Sequence, residues 1–160
     1  MKDALINRRE FLRNLGVIGA GALLSMSPWL SAFSEVVETS GEKCRLAIIG
    51  TGSRGRFLMS FLLQNPKVEI VALCDIYQPS MEKALNLVRE AKVYTDYRKV
   101  LENKTVDAVL VATPLNLHCQ IVLDAFDAGK HVFCEKSIGF TMEECFRIYK
   151  KHTKVSHPNK

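Results

Sequence analysis

From residue 44 onward, apolar positions switch repeatedly between a short unbroken run and a helical spacing. Cys44–Ile49 (CRLAII) is a short apolar run that ends at a glycine, which predicts a strand. Across 53–64, Phe57, Leu58, Phe61 and Leu62 recur at helical spacing, and Pro66 closes that helix. Val68–Cys74 (VEIVALC) is rich in β-branched residues and predicts a second strand. Pro79, at a first-turn position, opens a second helix with Met81, Ala84, Leu85 and Val88 on one face. A brief strand at Lys92–Tyr94 and a short helix at Tyr97–Leu101 come next. Val106–Ala112 (VDAVLVA) predicts a fourth strand, and Asn116–Ala128 a helix with Leu117, Ile121, Val122 and Ala125 inward and Gly129 at its end. Lys130–Cys134 predicts the fifth strand, and Thr141-Met-Glu-Glu144 is a capping box that opens the last helix.

Strands that alternate with helices give a parallel sheet with right-handed crossovers. The strands are apolar on both faces, as a sheet covered on both sides requires. The fold class is therefore α/β, a doubly wound parallel sheet.

Length and composition agree with one domain. The chain has 160 residues, 48% of them hydrophobic and 24% charged, which excludes disordered, collagen-like and disulfide-scaffold classes. The net charge of +5 lies mostly at the ends. Residues 1–34 carry +2, residues 35–146 carry −2, and residues 147–160 carry +5. A near-neutral body excludes a nucleic-acid partner, which needs basic charge on a face or stripe. The five cysteines are an odd number with no C-x-x-C spacing, so neither a metal site nor a disulfide framework is expected.

The N-terminus reads as an address. A charged stretch precedes the uncharged run Leu15–Leu24, Pro28 breaks the run, and Ala32-Phe33-Ser34 gives a small-x-small cleavage pattern. Within it, Asn7-Arg8-Arg9-Glu10-Phe11-Leu12 resembles the twin-arginine export motif. A membrane anchor is the alternative, but Gly16, Gly19, Gly21 and Pro28 make a weak span. The organisation expected is a signal segment at 1–34, a linker at 35–43, a nucleotide-binding domain at 44–154 and an irregular tail at 155–160. The twin-arginine machinery is the expected export partner and the periplasm the expected destination.

The chemistry begins at Gly50-Thr51-Gly52-Ser53-Arg54-Gly55, a G-x-G-x-x-G that follows a strand and opens a helix. Gly50 allows the tight turn, Gly52 lets a pyrophosphate approach the backbone, and Gly55 lets the helix lie close to the strand. The helix N-terminus offers N–H groups and a positive dipole end to phosphate. Arg54 reads either as a phosphate contact or as a solvated helix residue. Asp75, twenty residues after Gly55, ends the second strand where an acid can bind ribose hydroxyls, or else serves as a turn acid ahead of Pro79. Its charge would repel a 2′-phosphate, so NAD is expected in preference to NADP. Together these features make the sheet Rossmann-like.

The segments RLAIIGTGSRG (45–55), VALCDIY (71–77), VYTDYRKVL (93–101), VDAVLVATPLNLHCQI (106–121) and AGKHVFCEKSI (128–138) stand in an order and spacing that resemble the Gfo/Idh/MocA oxidoreductases. The resemblance covers roughly residues 44–150. It implies NAD as cofactor and a sugar or polyol substrate, with a further domain that carries the substrate residues and often mediates oligomerisation. It implies that Thr51 and Ser53 join the glycines at the cofactor. Thr113, Pro114 and Asn116 match a loop beside the cofactor's ribose and nicotinamide, and His118 matches the motif's histidine in the cofactor-binding set. Glu135 matches a residue near the nicotinamide ribose, and Lys136 a catalytic residue. The residues support the last assignment. Lys136 follows a strand's C-terminal end, where open α/β sheets place ligands and where a lysine can help take a hydroxyl proton.

Two departures stand out. Ser137 replaces the family's proline, which would have fixed the backbone beside Lys136. The chain also ends at Lys160, so the sequence is expected to lack the last strand of the sheet and the substrate domain. Three functions remain open: a sugar or polyol oxidoreductase, an NAD-dependent glycosidase of the same superfamily, and a truncated nucleotide-binding module without catalysis.

Overall fold

A computed structural model describes residues 43–156. The segment 1–34, expected to direct export, and all but the last residue of the expected 35–43 linker lie outside the described residues.

The described chain runs β1 (Cys44–Ile49), α1 (Ser53–Leu62), β2 (Val68–Cys74), α2 (Gln78–Leu85), β3 (Lys92–Tyr94), α3 (Tyr97–Glu102), β4 (Ala108–Val111), a 3₁₀ turn (Leu115–Leu117), α4 (His118–Asp127), β5 (His131–Cys134) and α5 (Met142–Ser156). The five strands are all parallel, in the order β3-β2-β1-β4-β5. The chain winds outward from β1 in one direction through β2 and β3, then returns to wind outward through β4 and β5. This reversal between β1 and β4 leaves a crevice at the C-terminal ends of the strands, the place where such sheets bind ligands.

Burial explains the helix faces. On one side of the sheet Ala47, Ile49, Val109 and Val111 meet Val100 and Leu101 of α3 and Ile121 and Ala125 of α4. Leu46, Ile48 and Leu110 point the other way by strand alternation and are fully buried too. Each such leucine or isoleucine contributes about 2 kcal/mol of transfer free energy. α5 closes over α4 through Ile148, which joins Cys119 and Val122. The capping box forms as expected, with Glu144 N–H donating to Thr141 Oγ1 at 3.2 Å and Thr141 N–H donating to Glu144 Oε2 at 3.2 Å.

The structure corrects three expectations. In α1 the buried stripe is Gly55, Leu58, Met59 and Leu62, while Phe57 and Phe61 are exposed and stack edge-to-face at 4.9 Å. The face that carries Gly55 must meet the sheet, because the helix comes closest there, and this turns both phenylalanines outward. The expected single helix from Asn116 divides at His118, and the tighter 3₁₀ turn before it swings Leu117 out to 43% exposure. At the C-terminal side α5 continues through Ser156, so the tail predicted to begin at 155 starts as helix.

Candidate functional site

Three chain segments leave the sheet at the crevice: the turn after β1, the loop after β4 and the segment after β5. Backbone contact shapes the first. Gly50 has φ +95°, and a Cβ there would lie 2.6 Å from the Ala112 carbonyl. A Cβ on Gly55 would lie 2.0 Å from the Gly50 carbonyl oxygen. Neither position admits a side chain. Gly52 differs, since a Cβ there would meet nothing within 4 Å. Open space therefore faces the backbone at the one glycine expected to admit a phosphate. Ser53 and Arg54 begin α1 beside it; no side chain caps the helix and no acid sits in its first turn. The first-turn N–H groups have no intrahelical partner and remain available to an anion.

Thr51 and Asp75 are bonded to each other. Thr51 is fully buried; its N–H and its hydroxyl both donate to Asp75 Oδ2, at 2.7 and 3.0 Å. Asp75 Oδ1 accepts from Tyr77 N–H at 2.9 Å. Thr51, predicted to touch the cofactor, instead spends its donors on holding Asp75. An ionised carboxylate has about four acceptor sites. Three are occupied, which leaves one on Oδ1 for a ribose hydroxyl rather than the pair expected from the sequence. Both readings of Asp75 thus meet in one residue, which anchors a turn and still faces the crevice.

After β4, the loop carries Thr113, Pro114 and the exposed Asn116. The Thr113 hydroxyl is buried without a hydrogen-bond partner among the described residues. His118 is 2% exposed, with Nε2 at 2.8 Å from the Thr113 carbonyl oxygen and Nδ1 at 2.8 Å from the Ser137 carbonyl oxygen. Both carbonyls can only accept, and each ring nitrogen faces one of them. The ring has no nitrogen left for a ligand. His118 ties the loop after β4 to the segment after β5.

That last segment begins at Glu135, whose N–H donates to the Val111 carbonyl at 2.9 Å. Its carboxylate accepts from Arg54 Nη2 at 2.8 Å through Oε1, and from Lys136 N–H at 3.3 Å through Oε2. Lys136 is exposed at the rim of the crevice. The Lys136–Ser137 peptide bond is cis.

Two cysteines border the site. Burial pushes the Cys74 thiol up to about 12, aided by the charges of Asp75 and Asp96, and does the same for Cys134, aided by Glu135. Both stay protonated and serve as small apolar residues. Sequence reasoning missed Arg56, whose Nη1 donates to the Thr51 carbonyl at 2.6 Å and braces the turn. A side chain that reaches five residues back to a backbone oxygen leaves no spacing signature.

A dinucleotide fits these residues on three counts. The N-terminus of α1 is uncapped, the space over Gly52 is open, and the buried Thr113 hydroxyl has a donor and acceptors to offer. Comparison with known proteins then decides the family. The Gfo/Idh/MocA model, described as an oxidoreductase family with an NAD-binding Rossmann fold, matches residues 44–157. The chain belongs to this family. It is 33% identical to a glycosyl hydrolase family 109 protein of Stenotrophomonas maltophilia, in an alignment of 96% of this chain and 34% of that protein. It is 30% identical to an alpha-N-acetylgalactosaminidase of Shewanella oneidensis, over 89% of this chain and 36% of that one. Among solved structures it resembles myo-inositol dehydrogenase from Lactobacillus casei in complex with NAD(H) and myo-inositol. The TM-score is 0.65 and the identity 34%, over 68% of this chain and 33% of that chain. The chain spans about a third of the length of the relatives it matches.

Proposed function

We propose that this Gfo/Idh/MocA chain binds NAD across the crevice between β1 and β4, as the cofactor-binding part of an exported enzyme that transfers hydride from a sugar or polyol hydroxyl. Gly52 and the first-turn N–H groups of α1 hold the pyrophosphate, and Asp75 Oδ1 accepts from the adenosine ribose. Thr113, Pro114 and Asn116 line the path of the second ribose toward Glu135. The cofactor supplies the hydride acceptor. Lys136 hydrogen-bonds the substrate hydroxyl and takes its proton. NAD is preferred to NADP because Asp75 would face a 2′-phosphate with its own charge. The observation that carries this reading is the contrast within one loop, where backbone fills the space at Gly50 and Gly55 and leaves it open at Gly52.

The test is NADH binding, followed by fluorescence. Gly52→Val should keep the fold, because a Cβ there meets nothing within 4 Å, and remove binding by occupying the place of the phosphate. Unchanged affinity in Gly52→Val would show that the dinucleotide does not bind at this loop.

A second reading is an NAD-dependent glycosidase, which oxidises its sugar transiently and reduces it again. The relatives named as glycosyl hydrolase and alpha-N-acetylgalactosaminidase favour it, and the likeness to an inositol dehydrogenase favours the first. A dehydrogenase accumulates NADH with substrate, whereas the glycosidase releases sugar with no net NADH. For export, the Arg8-Arg9 pair is the support, and Arg8→Lys together with Arg9→Lys should hold the chain in the cytoplasm on fractionation.

A further inference from the structure

We infer that Arg54 is a positioning residue for Glu135, serving the half of the cofactor that lies over β4 and β5, and not a phosphate ligand; this rests on the NAD reading above. Arg54 stands in the first turn of α1, after β1, yet its guanidinium reaches past the end of β4 to Glu135 just after β5, where Nη2 donates to Oε1 at 2.8 Å. On the way it lies 5.3 Å from the centre of the Phe57 ring. The pair is asymmetric. The Arg54 side chain is 51% exposed, and the Glu135 side chain only 11%.

That asymmetry decides the role. A nearly buried carboxylate depends on its counter-charge, whereas a half-exposed guanidinium is well solvated without it. Among the described residues, the other Glu135 oxygen receives only the long bond from Lys136 N–H, at 3.3 Å. If Arg54 swung to the pyrophosphate, Glu135 would lose its cation and face an anion across the crevice. The phosphates have no such need, because the uncapped start of α1 already offers them N–H groups.

The place of the pair in the sheet says which part of the ligand feels it. Asp75 ends β2 and receives the adenosine side, Gly52 lies at β1, and the rest of the dinucleotide runs outward over β4 toward β5. Arg54 therefore aligns Glu135 with the second ribose, and through Glu135 the backbone that carries Lys136.

Two ligands separate this role from phosphate binding. ADP carries the adenosine and both phosphates; NADH adds the second ribose and the nicotinamide. Arg54→Met keeps an unbranched stem against Phe57 and removes the guanidinium, on an exposed side chain whose loss does not threaten the fold. It should weaken NADH about tenfold, the scale of one charge-assisted hydrogen bond, and leave ADP within about twofold. Glu135→Leu should weaken NADH at least as much, and the double variant should be no weaker than Glu135→Leu alone, because both remove the same contact. An equal loss of ADP and NADH in Arg54→Met would make Arg54 a phosphate ligand and overturn the inference. So would losses from the two substitutions that multiply. A wild-type chain that binds neither ligand would instead sink the NAD reading itself.

Discussion

The turn after β1 depends first on side chains that are missing at two glycines, whereas the segment after β5 depends on side chains that arrive from elsewhere. At Gly50 and Gly55 neighbouring backbone occupies the space a Cβ would need. After β5, Arg54 from α1 holds Glu135, His118 from α4 holds the Ser137 carbonyl, and Glu144 from α5 accepts from Phe140 N–H at 2.6 Å. Both segments border the same crevice. The first is specified by close backbone approach, within the turn and against Ala112, and the second by polar contacts between side chains and distant parts of the chain. A steric device fails all at once when one atom is added. A polar tether fails by degrees and locally.

The largest effect should therefore come from Gly55→Ala. In a helix this change normally gains about 1 kcal/mol. Here the new methyl would lie 2.0 Å from the Gly50 carbonyl oxygen, a backbone atom that cannot step aside. Overpacking of that kind costs about 3 kcal/mol or more, so a net loss of about 2 kcal/mol or more is expected by urea unfolding, with NADH binding lost. A neutral or stabilising result would mean that α1 can lift away from the turn, and that the steric half of the comparison is wrong.

The same contrast explains what was legible in the sequence. The glycine spacing, the strands and Asp75 were visible because each follows a local rule of periodicity or of a turn. The partner of Asp75 was not visible, since nothing about Thr51 alone says that both its donors turn to residue 75. The two carbonyl contacts of His118 are hidden for a similar reason. No spacing rule connects residue 118 with the carbonyl at 137, and the 3₁₀ turn that aims the ring gives little pattern of its own. In α1 the apolar count pointed at Phe57 and Phe61, but the close approach at Gly55 chose the face. Where backbone proximity competes with hydrophobic periodicity, proximity wins, because a clash costs more than a half-exposed phenylalanine.

His118→Leu tests the polar half. It removes the ring that bridges the Thr113 and Ser137 carbonyls, and an unmade buried hydrogen bond costs about 1 to 3 kcal/mol. Ser137 is exposed and recovers part of its loss from water, so about 2 kcal/mol is expected in total. The location matters more than the size. Amide exchange should rise across 135–141 and stay unchanged across 50–55. An equal rise in the turn after β1 would show that the two segments are one cooperative unit and that the comparison does not hold.

The smallest effect belongs to a tether of the same polar kind placed at the opposite end of the sheet. Arg45 in β1 donates to Asp107, just before β4, through Nε at 2.9 Å and Nη2 at 2.7 Å, and its own N–H donates to the same carboxylate at 2.9 Å. These hydrogen bonds to Arg45 hold the Asp107 carboxyl below its usual value, against the opposing push of burial. A carboxyl whose pKa falls on folding adds stability above the unfolded value of about 3.9; that increment is lost as pH drops through the lower folded value. Both side chains are more than a third exposed, at 42% and 36%, so solvent screening keeps the increment to about 1 kcal/mol or less. Asp107→Asn should therefore be slightly less stable than the wild type at neutral pH, with the gap closing below about pH 4. NADH affinity should not change, because the pair stands at the far end of the strands from the crevice. A gap that persists in acid would mean that the carboxylate charge contributes nothing and that geometry alone joins β1 to β4 there. Altered NADH affinity would mean that the two ends of the sheet are coupled, so that a tether's effect on binding could no longer be assigned by its position.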